Sequence, residues 1–253
     1  MRYPLLLLAC ALFLFGCATY NPATGRQEFI MLTTPMEVMM GQEVNAQIEA
    51  SSLGGALSGE KMMQVRLSRI GQRLAQISDR QDYQYHFYLV NKNEMNAFTV
   101  PGGYVYFYTG LYSKLGSDDE IAAVLAHEIG HCAARHVVKK YQAALGYDLL
   151  STFVMNSLQS DIAVRVARLG GDALMQLGMS AYSRKDEYEA DRLAVKYMYL
   201  AGYDPNAIIA TFEVLARDSK GDDRDWLLLR SHPYLKDRIE AVKKEIELVK
   251  SKY

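Results

Sequence analysis

Ten residues, HEIGHCAARH at 127–136, carry three histidines and a glutamate, and they sit in a stretch with no proline and no glycine except Gly130 before Gly146. Ser117 and Glu120 form a capping-box pattern ahead of that stretch, which predicts one long helix. On a helix each residue turns about 100°, so His127 and His131 lie about 40° apart, one turn along the same face, and both imidazoles can reach one ion. Glu128 is about 100° round from His127, close enough to face a water on that ion without being a ligand, as in the H-E-x-x-H pattern. His136 falls about 180° from His127 and is predicted to point elsewhere. Catalytic zinc usually takes three protein ligands and a water, so the remaining ligand has to come from another element. The longer pattern H-E-x-x-H-x-x-G-x-x-H is excluded, because Ala134 and Val137 stand where it needs glycine and histidine.

The segment EYEAD at 187–191 fits that requirement best. Glu187 and Asp191 are four apart on a predicted helix, so one can bind a metal while the other, a turn along, accepts a hydrogen bond from a ligand imidazole. Glu189 projects to another side. Acid pairs at this spacing are also common on solvated helices, and it is the histidine pair upstream that favours the metal reading.

Between these motifs the pattern is mostly helical. Thr34 before Pro35 starts one helix, and Val65, Ile70, Leu74 and Ile77 mark a second. YQYHFYLV, NAFTV and YVYFYTGL read as a small sheet, in which His86 is a half-exposed strand residue. The strand after PGG is expected to offer an open edge for an extended peptide. Residues 147–182 are too charged to span a bilayer and are expected to lie across the cleft as a lid. Helices follow over 186–201, after Asp204, and over LKDRIEAVKKEIELV, a Lys-rich solvated face. The fold class is mainly α with a small β-sheet, an α+β fold. A formal net charge of −1 and the lack of a basic run with interleaved aromatics leave nucleic acid outside the expected partners.

MRYPLLLLACALFLFGC has the layout of a secretory signal and is too short to span a membrane as a helix. Its LFGC ending resembles the lipobox of bacterial lipoproteins, which implies cleavage before Cys17 and lipidation of that residue; an ordinary signal cleaved further on is the other reading. The division expected is a signal peptide over 1–16, an anchor and polar linker over 17–33, and one domain over 34–253. Of three cysteines only Cys132 then remains as a thiol, with no internal disulfide, and a lone helical cysteine is usually a small buried hydrophobe.

The segments NAFTVPGGYVYFYTGL, AAVLAHEIGH with RH, SRKDEYEAD and SHPYLKDRI together resemble the zinc metallopeptidases that include the CAAX prenyl proteases, the HtpX-type membrane proteases and the periplasmic β-barrel assembly-enhancing proteases. The likeness runs from about residue 35 to about 245 and implies a gluzincin-like domain. It also implies one zinc ion held by His127, His131 and Glu187, with Glu128 as base and Asp191 behind a ligand imidazole. His232 is drawn over the metal, either stabilising the developing oxyanion or occupying the open coordination position. The membrane helices of the first two groups and the tetratricopeptide tail of the third are not seen, so the likeness is nearest to small lipoprotein members.

On these grounds the expected protein is a zinc-dependent endopeptidase of the bacterial cell envelope acting on protein or peptide substrates in quality control. It would touch the membrane through its lipid anchor only, at the periplasmic face of the outer membrane. A catalytically quiescent, lipid-anchored chaperone or assembly factor is the alternative, and a zinc hydrolase of other substrates a third.

Overall fold

A computed structural model describes residues 18–50, 61–155, 170–218, 231–233 and 235–253. The signal segment with Cys17, and positions 156–169 of the expected lid, lie outside the described residues. The chain opens with a hairpin of β1 (Ala18–Asn21) and β2 (Arg26–Phe29), followed by helices α1 (Thr34–Ala50) and α2 (Lys61–Ala75). Strands β3 (His86–Val90), β4 (Ala97–Val100) and β5 (Tyr104–Tyr108) come next, then a single turn α3 (Thr109–Tyr112). Among the described residues the further helices are α4 (Asp118–Ala133), α5 (His136–Met155), α6 (Gly170–Met179), α7 (Arg184–Ala201), α8 (Ala207–Asp218) and α9 (Leu235–Lys252). The mainly α fold with small sheets agrees with the sequence, and among the described residues no helix is long and apolar enough to cross a membrane.

The three-stranded sheet has the order β3-β5-β4, with β5 parallel to β3 and antiparallel to β4. Alternation along β5 sends Tyr104, Tyr106 and Tyr108 towards Met40, Val44 and Ile48 of α1, and Val105 and Phe107 into the cluster built by Leu67, Ile70 and Leu74 of α2 with Leu125 and Ile129 of α4. A strand buried on both faces reads as an unbroken apolar run. Val65 of α2 is 62% exposed, so that helix buries Leu67 in place of the expected residue.

The central position of β5 corrects the expectation that it offers an open edge. The outer edge of β3 is blunted by a side chain of α2: the Gln64 amide donates to the Phe87 carbonyl at 2.8 Å and accepts from the Leu89 N–H at 2.7 Å, standing in for a neighbouring strand. At β4 the end of α6 covers the other edge. Gly178 lies so close there that a Cβ on it would stand 2.7 Å from the Thr99 carbonyl oxygen.

Two further differences bear on the site. The helix expected to continue to Gly146 stops at Ala133, Arg135 takes a left-handed φ of 59°, and α5 then runs on through Gly146. That conformation costs an L-residue about 1–2 kcal/mol and is normally given to glycine at a helix end. Here the Arg135 guanidinium is fixed by buried Glu37 at 2.9 Å, which also pairs with Arg80 at 2.9 Å and Tyr83. The other difference is the hairpin, read from sequence as polar linker. It docks on the helices: the Asn21 amide donates to the Ala133 carbonyl, Arg192 donates to the Ala23 carbonyl, and Lys139 pairs with Glu28.

Helices α4 and α7 pack against each other, and Gly130 lets their backbones approach. A Cβ at Gly130 would meet the Ala190 carbonyl oxygen at 2.9 Å. Gly130→Val is expected to force the two helices apart and lower the unfolding free energy by about 1–3 kcal/mol, read from urea melts; an unchanged midpoint would contradict this account of the interface.

Candidate metal centre

Both site helices begin with reciprocal caps, which fix where their inward residues fall. Ser117 and Glu120 form the expected capping box at α4, and Ser183 with Asp186 forms another at α7. The second box places Glu187 in the first turn of α7, where the positive end of the helix dipole favours a carboxylate.

The structure brings together His127, His131, Glu187 and His232, all buried, with one donor atom from each lying within 4.8 Å of the others. His131 Nε2 is 3.0 Å from His127 Nε2, and Glu187 reaches them with Oε1 3.5 Å from His131 Nε2 and Oε2 3.6 Å from His127 Nε2. His232 Nδ1 lies 3.2 Å from His127 Nε2 and 3.0 Å from Glu187 Oε1. Donors about 2.0–2.1 Å from a common tetrahedral centre stand about 3.4 Å from one another, close to these separations of 3.0–3.6 Å. The group could hold a metal on both geometry and donor chemistry.

Electrostatics agree with this. Burial pushes His131 well below the usual imidazole range, which keeps it neutral, the form a metal requires. Burial would push the Glu187 carboxyl up, but His232 and Arg238 beside it prevail and hold it well below the carboxylate range. Glu128 is 1% exposed, and burial raises its carboxyl against the pull of His232 and His127. Neither Glu128 oxygen has a hydrogen-bond partner among the described residues, and Oε1 is 3.5 Å from His232 Nε2. A raised, unpartnered carboxyl facing the donor group is placed to move a proton.

Asp191 accepts from His127 Nδ1 at 2.9 Å, the support expected for a ligand imidazole. Sequence reasoning missed what holds Asp191. Arg238, 1% exposed, donates to its two oxygens at 2.7 Å each and pairs with Glu187 as well. A lone arginine in a Lys-rich amphipathic segment gives no sign of this, although it lies in the SHPYLKDRI motif.

Tyr182 was also missed. Its ring stacks on His131 with centroids 3.8 Å apart, under the Lys140 ammonium at 3.3 Å from the Tyr182 centroid. His136 does not point away: the break at Arg135 returns it to His131, with Nδ1 2.8 Å from Nδ1, and Glu189, expected on another side, lies 3.3 Å from His136 Nε2. His86 is half-buried in β3 and Cys132 is buried against Thr99, both as the sequence implied.

An H-E-x-x-H helix meeting a glutamate from a later helix in a mainly helical domain defines a metallopeptidase type of centre. Residues 61–246 match the model of Peptidase family M48, and the chain belongs to that family. It is similar to the "Beta-barrel assembly-enhancing protease" of Escherichia coli strain K12, 27% identical over 229 residues that cover 86% of this chain and 45% of that protein. The protein of the same name from Yersinia pestis is 28% identical over 240 residues, 90% of this chain and 48% of its own length. The "Mitochondrial metalloendopeptidase OMA1" of Schizosaccharomyces pombe is 26% identical over 231 residues, 91% and 67% respectively. The chain thus spans about half the length of the assembly-enhancing proteases it matches.

Arg238→Met is expected to leave Glu187 and Asp191 buried without a counter-charge and to cost about 3–5 kcal/mol of stability in denaturant titrations; a loss below 1 kcal/mol would show that Arg238 does not hold the two carboxylates.

Proposed function

We propose that this chain is a zinc-dependent endopeptidase in which His127, His131 and Glu187 hold the metal and Glu128 is the general base. The observation that carries the reading is the convergence of three donors from two helices on one point, with an unpartnered buried carboxyl beside it. When bound, zinc supplies Lewis-acid polarisation of a carbonyl and a water of lowered pKa. Glu128 takes the proton of the attacking water on its carboxylate and returns it to the departing amine nitrogen. Asp191, fixed by Arg238, holds His127 in the tautomer that turns Nε2 to the metal.

His232 takes the remaining corner of the donor group in a resting arrangement. Supporting this, the cavity beside it, walled by Val124, Ile208, Phe212 and Leu215, leaves only about 30 Å³ of free space. A substrate enters as His232 swings out, and an extended peptide pairs with the edge of β4 once the end of α6 leaves it.

The presence of His232 in the donor group also favours the second reading, a quiescent chaperone or assembly factor that retains the metal fold. The setting proposed is the bacterial cell envelope, with Cys17 as lipid anchor and misfolded envelope proteins as substrates. Digestion of casein separates the two functions: the wild type is expected to cleave it and to stop on chelation, recovering with zinc. Glu128→Gln should bind zinc as before yet lose about 10²–10⁴-fold in rate. Equal cleavage by Glu128→Gln and wild type would remove the base assignment, and no cleavage by either, with zinc bound, would favour the quiescent reading.

A further inference from the structure

The two imidazoles that face the metal position are supported differently. His127 leans directly on a carboxylate, Asp191. His131 leans on a second histidine: its Nδ1 is 2.8 Å from His136 Nδ1, and His136 Nε2 lies 3.3 Å from Glu189 Oε2. Glu189 in turn is gripped by both terminal nitrogens of Arg26, at 2.8 Å and 2.9 Å. A single proton assignment satisfies the whole row. With His131 Nε2 turned to the donor group, its Nδ1–H donates to His136 Nδ1, the His136 proton then sits on Nε2, and that N–H donates to Glu189.

Arg26 belongs to β2, in the hairpin, outside the residues that the family model matches. The hairpin is fastened to both site helices, through Asn21 to the Ala133 carbonyl at the end of α4 and through Arg192 of α7 to the Ala23 carbonyl. Buried Asn21 and partly exposed Arg26 are cross-strand partners, and from that position the Arg26 guanidinium reaches Glu189 of α7.

We propose that Arg26, Glu189 and His136 are positioning residues for His131, so that docking of the N-terminal hairpin sets how tightly the metal is held. The proposal rests on the reading of His127, His131 and Glu187 as metal ligands, and it adds that the site is incomplete without residues 18–29. His131 reaches its carboxylate through an intervening ring, and the carboxylate keeps its orientation only while Arg26 holds it.

The test uses the full chain, stripped of metal and loaded with Co²⁺, with affinity measured by chelator competition and ligand geometry by the d–d absorption bands. Glu189→Gln is expected to weaken Co²⁺ binding by roughly 10–100-fold and Arg26→Ala by about 3–10-fold, as for other groups supporting a ligand histidine. Both should shift the d–d bands, and Arg26→Lys should restore most of the affinity. Should Glu189→Gln fail to fold, Arg26→Ala, whose side chain is 42% exposed, carries the measurement. Wild-type affinity and an unchanged spectrum in Arg26→Ala would overturn the proposal, while His127→Ala still losing the metal would leave the ligand reading standing. If His127→Ala bound Co²⁺ as well as the wild type, the ligand reading would fall, and the positioning role with it.

Discussion

Helices separated by about fifty residues of chain must meet backbone to backbone before any of the proposed site groups can share a point. The contact of Gly130 with Ala190 achieves this, and it lies between the residues that matter: His127 and His131 flank Gly130 on α4, and Glu187 and Asp191 flank Ala190 on α7. Small residues at the crossing bring the axes together, and side chains a turn to either side then converge instead of passing each other. The aromatic sheet and the outer helices hold this crossing rigid by burying β5 on both faces.

Such a crossing is costly in charge. Glu128, Glu187 and Asp191 are almost removed from water, and among the described residues Arg238 is the guanidinium that bonds to the last two. Burial opposes the charge on all three carboxyls, and Arg238 stands against it at the two it bonds. A divalent cation at the shared point of the proposed ligands would add to that compensation. Arg238 is bidentate to Asp191, the carboxylate that leans on His127, and its remaining terminal nitrogen reaches Glu187.

How much of this could be read from sequence follows from which interactions are periodic. His127 with His131, and Glu187 with Asp191, are i,i+4 pairs, and helix geometry alone stacks them, so their meeting in space was legible. Ser117 announced the helix start by its partner three residues on. The end of that helix was not legible, because the left-handed residue is Arg135 and not glycine, and its conformation is fixed by Glu37 from a segment almost a hundred positions earlier. The misplacement of His136 followed from that one error. Arg238 was illegible for a different reason: an arginine that ends in a buried pair and one that reaches solvent have the same local pattern. The hairpin carried a turn signal in NPATGR, but two strands of four residues with mixed burial lack the alternation that marks a strand.

The covers over the proposed substrate path are joined in the same way as the ligands, by a contact between distant segments. The end of α6 lies on the β4 edge, and the chain leaving it passes through Ser180 to Tyr182, whose ring lies on His131 and whose N–H donates to the Ser231 carbonyl at 3.0 Å. Ser231 immediately precedes His232. Lys140 of α5 fastens this connection by donating to the Ser180 carbonyl at 2.8 Å while resting on the Tyr182 ring. The segment that blocks the strand edge and the residue that fills the last corner of the donor group thus share one backbone hydrogen bond, so displacement of either strains the other's seat. An edge strand left bare is an aggregation hazard and a buried carboxyl left open to water loses its raised basicity, and one connection guards against both.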